Sequence, residues 1–212
     1  MSRADTPSCP RAPRVRLLIV PGLGDSGPGH WQTWLQGLHR HATRVSQHDW
    51  QQPELERWSA RIASTIEHGG PGPWVAVAHS FGVLALAHHL AGAPDSSIAG
   101  ALLVAPANPD RFGLVEALPR RALPALSSMV LSQNDPWMPL SVGLRWARHW
   151  GSHVVNLGEV GHINIDSGFG AFPFARRWVM AMEQRLVQQR RQAAGERADV
   201  DADGDDPDGL AA

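Results

Sequence analysis

The chain has 212 residues, 43% of them hydrophobic, and a net charge of −1 at neutral pH, which suits one domain with a full core and offers no pull toward nucleic acid or an anionic membrane. All 19 basic residues are arginine, so Schiff-base lysine chemistry and a Ser–Lys pair are excluded. Cys9 is the only cysteine, which leaves no disulfide framework.

Residues 1–13 hold Pro7, Pro10 and Pro13 without apolar periodicity, and are expected to be a flexible leader before a domain over 14–194. They lack the apolar core of an export signal, and no apolar run in the chain is long enough to span a bilayer. A cytoplasmic location is expected. A strand over 15–20 ends at Pro21-Gly22-Leu23-Gly24, whose glycines let backbone N–H groups approach a ligand. Gly22, Gly24 and Gly27 match dinucleotide spacing, but Pro28-Gly29 follows where that fingerprint needs a helix start. A helix over 30–41 opens with His30-Trp31. A weaker strand covers 44–50. A helix over 54–67 carries Leu55, Trp58, Ile62 and Ile66 on one face.

The stretch from Trp74 to Leu90 is the centre of the chain. Trp74-Val75-Ala76-Val77 reads as a buried strand and Val83 to Ala87 as a helix on a sheet. Between them, Ala78-His79-Ser80-Phe81-Gly82 is a small-x-Ser-x-small sequence on a strand-to-helix turn, the setting of a nucleophile elbow. A serine hydroxyl is a weak nucleophile and has to be presented to a base and a substrate together. The tight turn needs small residues on both sides. Gly82 meets that need, and Ala78 stands where glycine is more usual. The helix start aims N–H groups and its dipole at the same point, which suits a developing oxyanion. By itself Ser80 could equally be a helix cap.

Strands over 100–105, 128–132 and 153–157 follow, with a Pro-rich irregular stretch over 106–124, a helix over 139–150 and a long Arg-rich helix from 173 to about 192. Strands alternating with helices predict an α/β fold: about six mostly parallel strands with helices on both faces. Ligands bind such sheets beyond the carboxyl ends of the strands. Ser80, the 22–24 loop, Asn134-Asp135 and Gly161-His162 all follow strands and are therefore expected at one edge.

Ser80, Asp135 and His162 occur in the chain order of α/β-hydrolases. In that reading His162 takes the Ser80 proton, Asp135 fixes the histidine tautomer, and the N–H groups of Phe81 and Leu23 bind the oxyanion. His30, Trp31 and Trp137 are expected to line the substrate pocket, with core packing as the competing reading for each tryptophan. His79, His88, His89, His149 and His153 compete for the base role, but are expected on elements away from the loop edge or on the wrong side of the serine. Asp110, Glu159 and Asp166 are the alternative acids.

Four separated segments carry a family resemblance: Pro21 to Trp31, the Ser80 elbow, Asn134-Asp135-Pro136, and Gly161-His162 through Ser167-Gly168. Together they resemble the small serine hydrolases of the retinoblastoma-binding protein 9 family, over about residues 15–190. The resemblance implies a compact α/β-hydrolase fold without a large lid domain, Ser80, Asp135 and His162 as triad, and esterase- or peptidase-like activity.

The acidic segment from Asp199 to Asp205 resembles a calcium loop but lacks the closing glutamate, so 195–212 is expected to be a disordered acidic tail. The paired histidines lack metal-ligand spacing, and neither metal nor cofactor is expected. The expected partner is a small ester or peptide-like substrate. The alternatives are peptidase or amidase activity, or an interaction scaffold with little turnover.

Overall fold

The computed structural model describes residues 14–203, with side-chain surroundings for 14–194. The elements in chain order are β1 (Arg16–Val20), α1 (Trp31–Leu38), β2 (Ala42–Arg44), α2 (Leu55–Gly69), β3 (Trp74–Ser80), α3 (Phe81–Gly92), β4 (Ile98–Pro106), β5 (Leu126–Leu131), α4 (Leu140–Trp150), β6 (His153–Asn156) and α5 (Pro173–Asp203). Short 3-10 turns cover Pro109–Phe112 and Ile165–Ser167.

The six strands form one sheet in the order β2-β1-β3-β4-β5-β6, and every pairing is parallel. Central strands of such a sheet are covered on both faces, which is why they read as unbroken apolar runs. Along β3, Trp74, Ala76 and Ala78 face the core shared with α2, α3 and α4. Val75 and Val77 face the opposite core, under α1 and α5. Trp58 of α2 is 1% exposed and packs edge-on against Phe81 at 5.0 Å. Truncating it to alanine would cost about 3–5 kcal/mol.

After β1 the chain turns outward to β2, and after α2 it returns to the other side of β1 as β3. This reversal opens a crevice above the carboxyl ends of β1 and β3, the place where open α/β sheets bind ligands. The 21–30 loop and Ser80 meet there. Among the described residues no large lid is present: the 107–125 connection contributes one 3-10 turn.

Two expectations change. The second strand is Ala42–Arg44, not 44–50. Residues 46–49 are polar and give no alternation, and Trp50 instead packs edge-on against Trp58 at 5.6 Å while its carbonyl accepts the Gly24 N–H. The last helix passes residue 192 and reaches Asp203, into the segment expected to be disordered. Ala193, Ala194, Glu196, Arg197 and Ala198 are strong helix formers, which outweighs the acidic composition there. The leader over 1–13 and the end of the tail over 204–212 lie outside the described residues.

Candidate active site

Ser80 ends β3 with φ 53° and ψ −123°, a backbone region strained for a residue with a Cβ. The strain is held by close packing at the turn. A Cβ on Gly82 would run into the Pro21 carbonyl oxygen and come within 2.6 Å of that of Val20. A Cβ on Gly22 would lie 2.7 Å from that of Ser80. The small-residue requirement therefore falls on Gly82 and on Gly22. Ala78, fully buried and paired in register between Val20 and Leu103, fits without strain.

Ser80 Oγ lies 3.0 Å from His162 Nε2. His162 Nδ1 lies 3.0 and 2.9 Å from the two Asp135 oxygens. Asp135 Oδ1 also accepts the Trp137 N–H at 2.8 Å. Both partners are nearly sealed: Asp135 is 9% and His162 6% exposed. The loops bearing them come from β5 and β6 and are stitched together. Asn134 Oδ1 accepts the Gly161 N–H at 2.7 Å, and Ser167 Oγ accepts the His162 N–H at 2.9 Å. Trp31 donates its indole N–H to the Ile163 carbonyl at 2.8 Å, and Ile163 sits at φ 51°, an outlying conformation for a β-branched residue. His162 is thus fixed through its neighbours as well as its ring.

The 21–30 loop is pinned from below. Gln32, fully buried, donates to the carbonyls of Val20 and Val77 and accepts the Ser26 hydroxyl at 2.6 Å. Arg44 bonds Asp25 Oδ1 at 2.8 Å, the Ser26 carbonyl and the Thr33 hydroxyl. Within the loop the N–H groups of Gly24 and Asp25 bond the Trp50 and Gly22 carbonyls, whereas that of Leu23 meets no partner among the described residues. Phe81 is the first residue of α3, whose opening N–H groups are free of helical bonds.

A cleft of about 450 Å³ opens over Ser80. Leu23, His30 and Trp137 line it. Trp31 does not. One helical step beyond His30 it turns inward, fully buried, and meets Phe172 edge-on at 5.4 Å. It supports the loop that bears His162 and lies outside the cleft.

His79 was expected on the wrong side of the serine, yet it also lines the cleft. Its ring lies between those of His30 and His162, 4.9 Å from each, and its Nε2 donates to the His162 carbonyl at 3.0 Å. Burial, and then the charges of His162 and His30, push its pKa well below the usual histidine range. His30 caps α1: its Nδ1 accepts the Gln32 N–H at 3.1 Å. Its pKa falls to about 4, chiefly from burial and then from Arg44. The capping bond leaves the remaining proton on Nε2. His88, His89, His149 and His153 are not in the cleft, and Asp166 lines it without touching His162. Arg111 and Asn108 also line the cleft. They come from the irregular 106–124 stretch, where their only sequence signal was a position just after a strand. Among the described residues no cluster of His, Cys, Asp and Glu could hold a metal ion.

A family model described as serine hydrolase matches residues 17–191. The chain belongs to the serine hydrolase family. It is an enzyme of the α/β-hydrolase superfamily. Among solved structures, a protein described as a YdeN-like hydrolase, from Pectobacterium atrosepticum, is 34% identical with a TM-score of 0.77, over 82% of this chain and 92% of its own. The ydeN gene product of B. subtilis is 21% identical with a TM-score of 0.65, over 80% and 98%. Est1E from Butyrivibrio proteoclasticus, with ferulic acid bound, is 11% identical with a TM-score of 0.60, over 84% and 89%, a likeness of fold alone. No curated protein sequence matches. Among the described residues of this serine hydrolase, no helix is long and apolar enough to cross a membrane.

Proposed function

We propose that this serine hydrolase is a carboxylesterase acting on small esters through Ser80, His162 and Asp135, and that it sits in the branch resembling the retinoblastoma-binding protein 9 family. The observation that carries the proposal is the continuous hydrogen-bonded chain from Ser80 Oγ through His162 to Asp135, mounted on a strained elbow. His162 Nε2 takes the hydroxyl proton as Oγ attacks the ester carbonyl. The tetrahedral oxyanion receives the N–H groups of Phe81 and Leu23. The alkoxide leaves with the proton from His162, giving an acyl-enzyme. Water, deprotonated by the same histidine, then releases the acid and restores Ser80. Asp135 holds Nδ1–H in place and stabilises the imidazolium. His30 and Trp137 contact the substrate. No cofactor enters these steps, and the substrate is a small ester or peptide-like molecule in the cytoplasm.

A fluorophosphonate probe tests the reading. Wild type should label and Ser80→Ala should not. Equal labelling of both, or of neither, overturns Ser80 as nucleophile. The ratio of ester to anilide turnover then measures whether amides are accepted.

A further inference from the structure

The cleft contains a cation that the proposed chemistry does not use. Arg111 lies in the Pro109–Phe112 turn, which Asn108 caps by accepting the Asp110 N–H at 3.2 Å. Its guanidinium sits over the Trp137 ring at 4.8 Å and donates once, to the Pro136 carbonyl at 3.3 Å. Trp137 in turn faces the His162 ring at 6.4 Å. Arg111 is exposed but not loose, because stacking and the backbone bond set its direction. An exposed arginine ordinarily loses most of its ion-pair energy to ordering a long side chain, and here that ordering is already in place. Among the described residues it has no carboxylate partner. The Asn108 side-chain amide N–H₂ likewise has no partner there and lines the same cleft.

Neither acidic group lining the cleft forms an ion pair with Arg111 among the described residues. Asp25 is held by Arg44 at 2.8 Å. Asp166 stands with Asn164 on the loop after β6. Asp110, next to Arg111, lines a separate hollow toward α4.

We infer that Arg111, assisted by Asn108, selects substrates that carry a carboxylate beside the scissile ester. The inference rests on Ser80 as the nucleophile and adds the substrate class. Guanidinium–carboxylate pairing is bidentate and directional, so it fixes a substrate as well as attracting it. The carboxylate could belong to the acyl part or to the leaving group.

Three esters separate these cases: phenyl butyrate as the neutral parent, phenyl hydrogen glutarate, and 3-carboxyphenyl butyrate. Wild-type kcat/KM should exceed that of the parent about fivefold for at least one carboxylate ester, and 1 M salt should erase the margin. R111Q should bring the ratio near one, and R111K should restore part of it. The glutarate arm reports an acyl-side carboxylate and the benzoate arm a leaving-group one. Binding gives a readout independent of turnover: 3-hydroxybenzoate should bind wild type more tightly than phenol does and lose that margin in R111Q. A ratio of one or less for both carboxylate esters in wild type, preference for a 3-trimethylammoniophenyl ester, or a margin that survives R111Q overturns the inference. Turnover of phenyl butyrate by Ser80→Ala would instead overturn the assignment of the nucleophile.

Discussion

Acid should destabilise this enzyme earlier than its carboxylates alone would. His30 and His79 are folded in as neutral rings, His30 accepting a backbone N–H and His79 enclosed between two other imidazoles. The folded pKa values lie below the ordinary histidine value of 6.5, at about 4 for His30 and well below 6.5 for His79. In the unfolded chain both protonate near 6.5. Below that pH the unfolded state therefore binds more protons, so stability is complete above about 6.5 and is lost as pH falls toward the folded values. Each extra proton costs about 1.4 kcal/mol per pH unit. From pH 6.5 to 5 the pair loses roughly 3 kcal/mol once His30 is discounted for lining a wet cleft, on the order of 10 °C in Tm for a chain of this size. Burial lowers His39 and His89 in the same direction and raises Glu183, which opposes them only near the carboxylate range. Scanning calorimetry from pH 7.5 to 5 reads the slope. His30→Asn isolates one contribution, because asparagine can still cap α1 but cannot titrate. A flat Tm across this range, or an unchanged slope in His30→Asn, refutes the argument.

Asp135→Asn should lower kcat about 10⁴-fold by favouring the wrong His162 tautomer, while Asp166→Asn should cost far less; steady-state kinetics on one ester would expose the reverse ranking. Gly82→Ala drives a Cβ into the backbone of Val20 and Pro21 and should cost about 3 kcal/mol or more, whereas Gly27→Ala meets nothing within 4 Å and should stay within about 0.5 kcal/mol, both read from denaturant midpoints. With a cleft of about 450 Å³ and no large lid among the described residues, p-nitrophenyl acetate to butyrate should be the best chain lengths, since a methylene contributes roughly 0.8 kcal/mol when buried and almost nothing when left in water. A preference for palmitate, or a rate jump at a lipid interface, would contradict that cleft.

Local sequence was enough for the alternation of strands and helices, because β3 and β4 are covered on both faces and leave unbroken apolar runs. It was enough to bring Ser80, Asp135 and His162 to one edge, because each lies at or just after the end of a strand and a parallel sheet gathers strand ends there. It also located the tight turn, although the packing against Pro21 and Val20 that makes Gly82 indispensable joins residues sixty positions apart and was invisible. Segment 44–50 misled because a short strand needs a partner more than a pattern. Trp31 misled because adjacency to His30 says nothing about direction: one helical step turned it from the cleft into the core. His79 and Arg111 lay beyond sequence reading for the same reason. His79 matters through a carbonyl eighty-three residues away, and Arg111 through a ring on another loop. Periodicity and chain order are local, and survive in one dimension. Which side chain faces the substrate, which charge lacks a partner and which histidine stays neutral depend on contacts between distant segments, and only the folded chain brings those together.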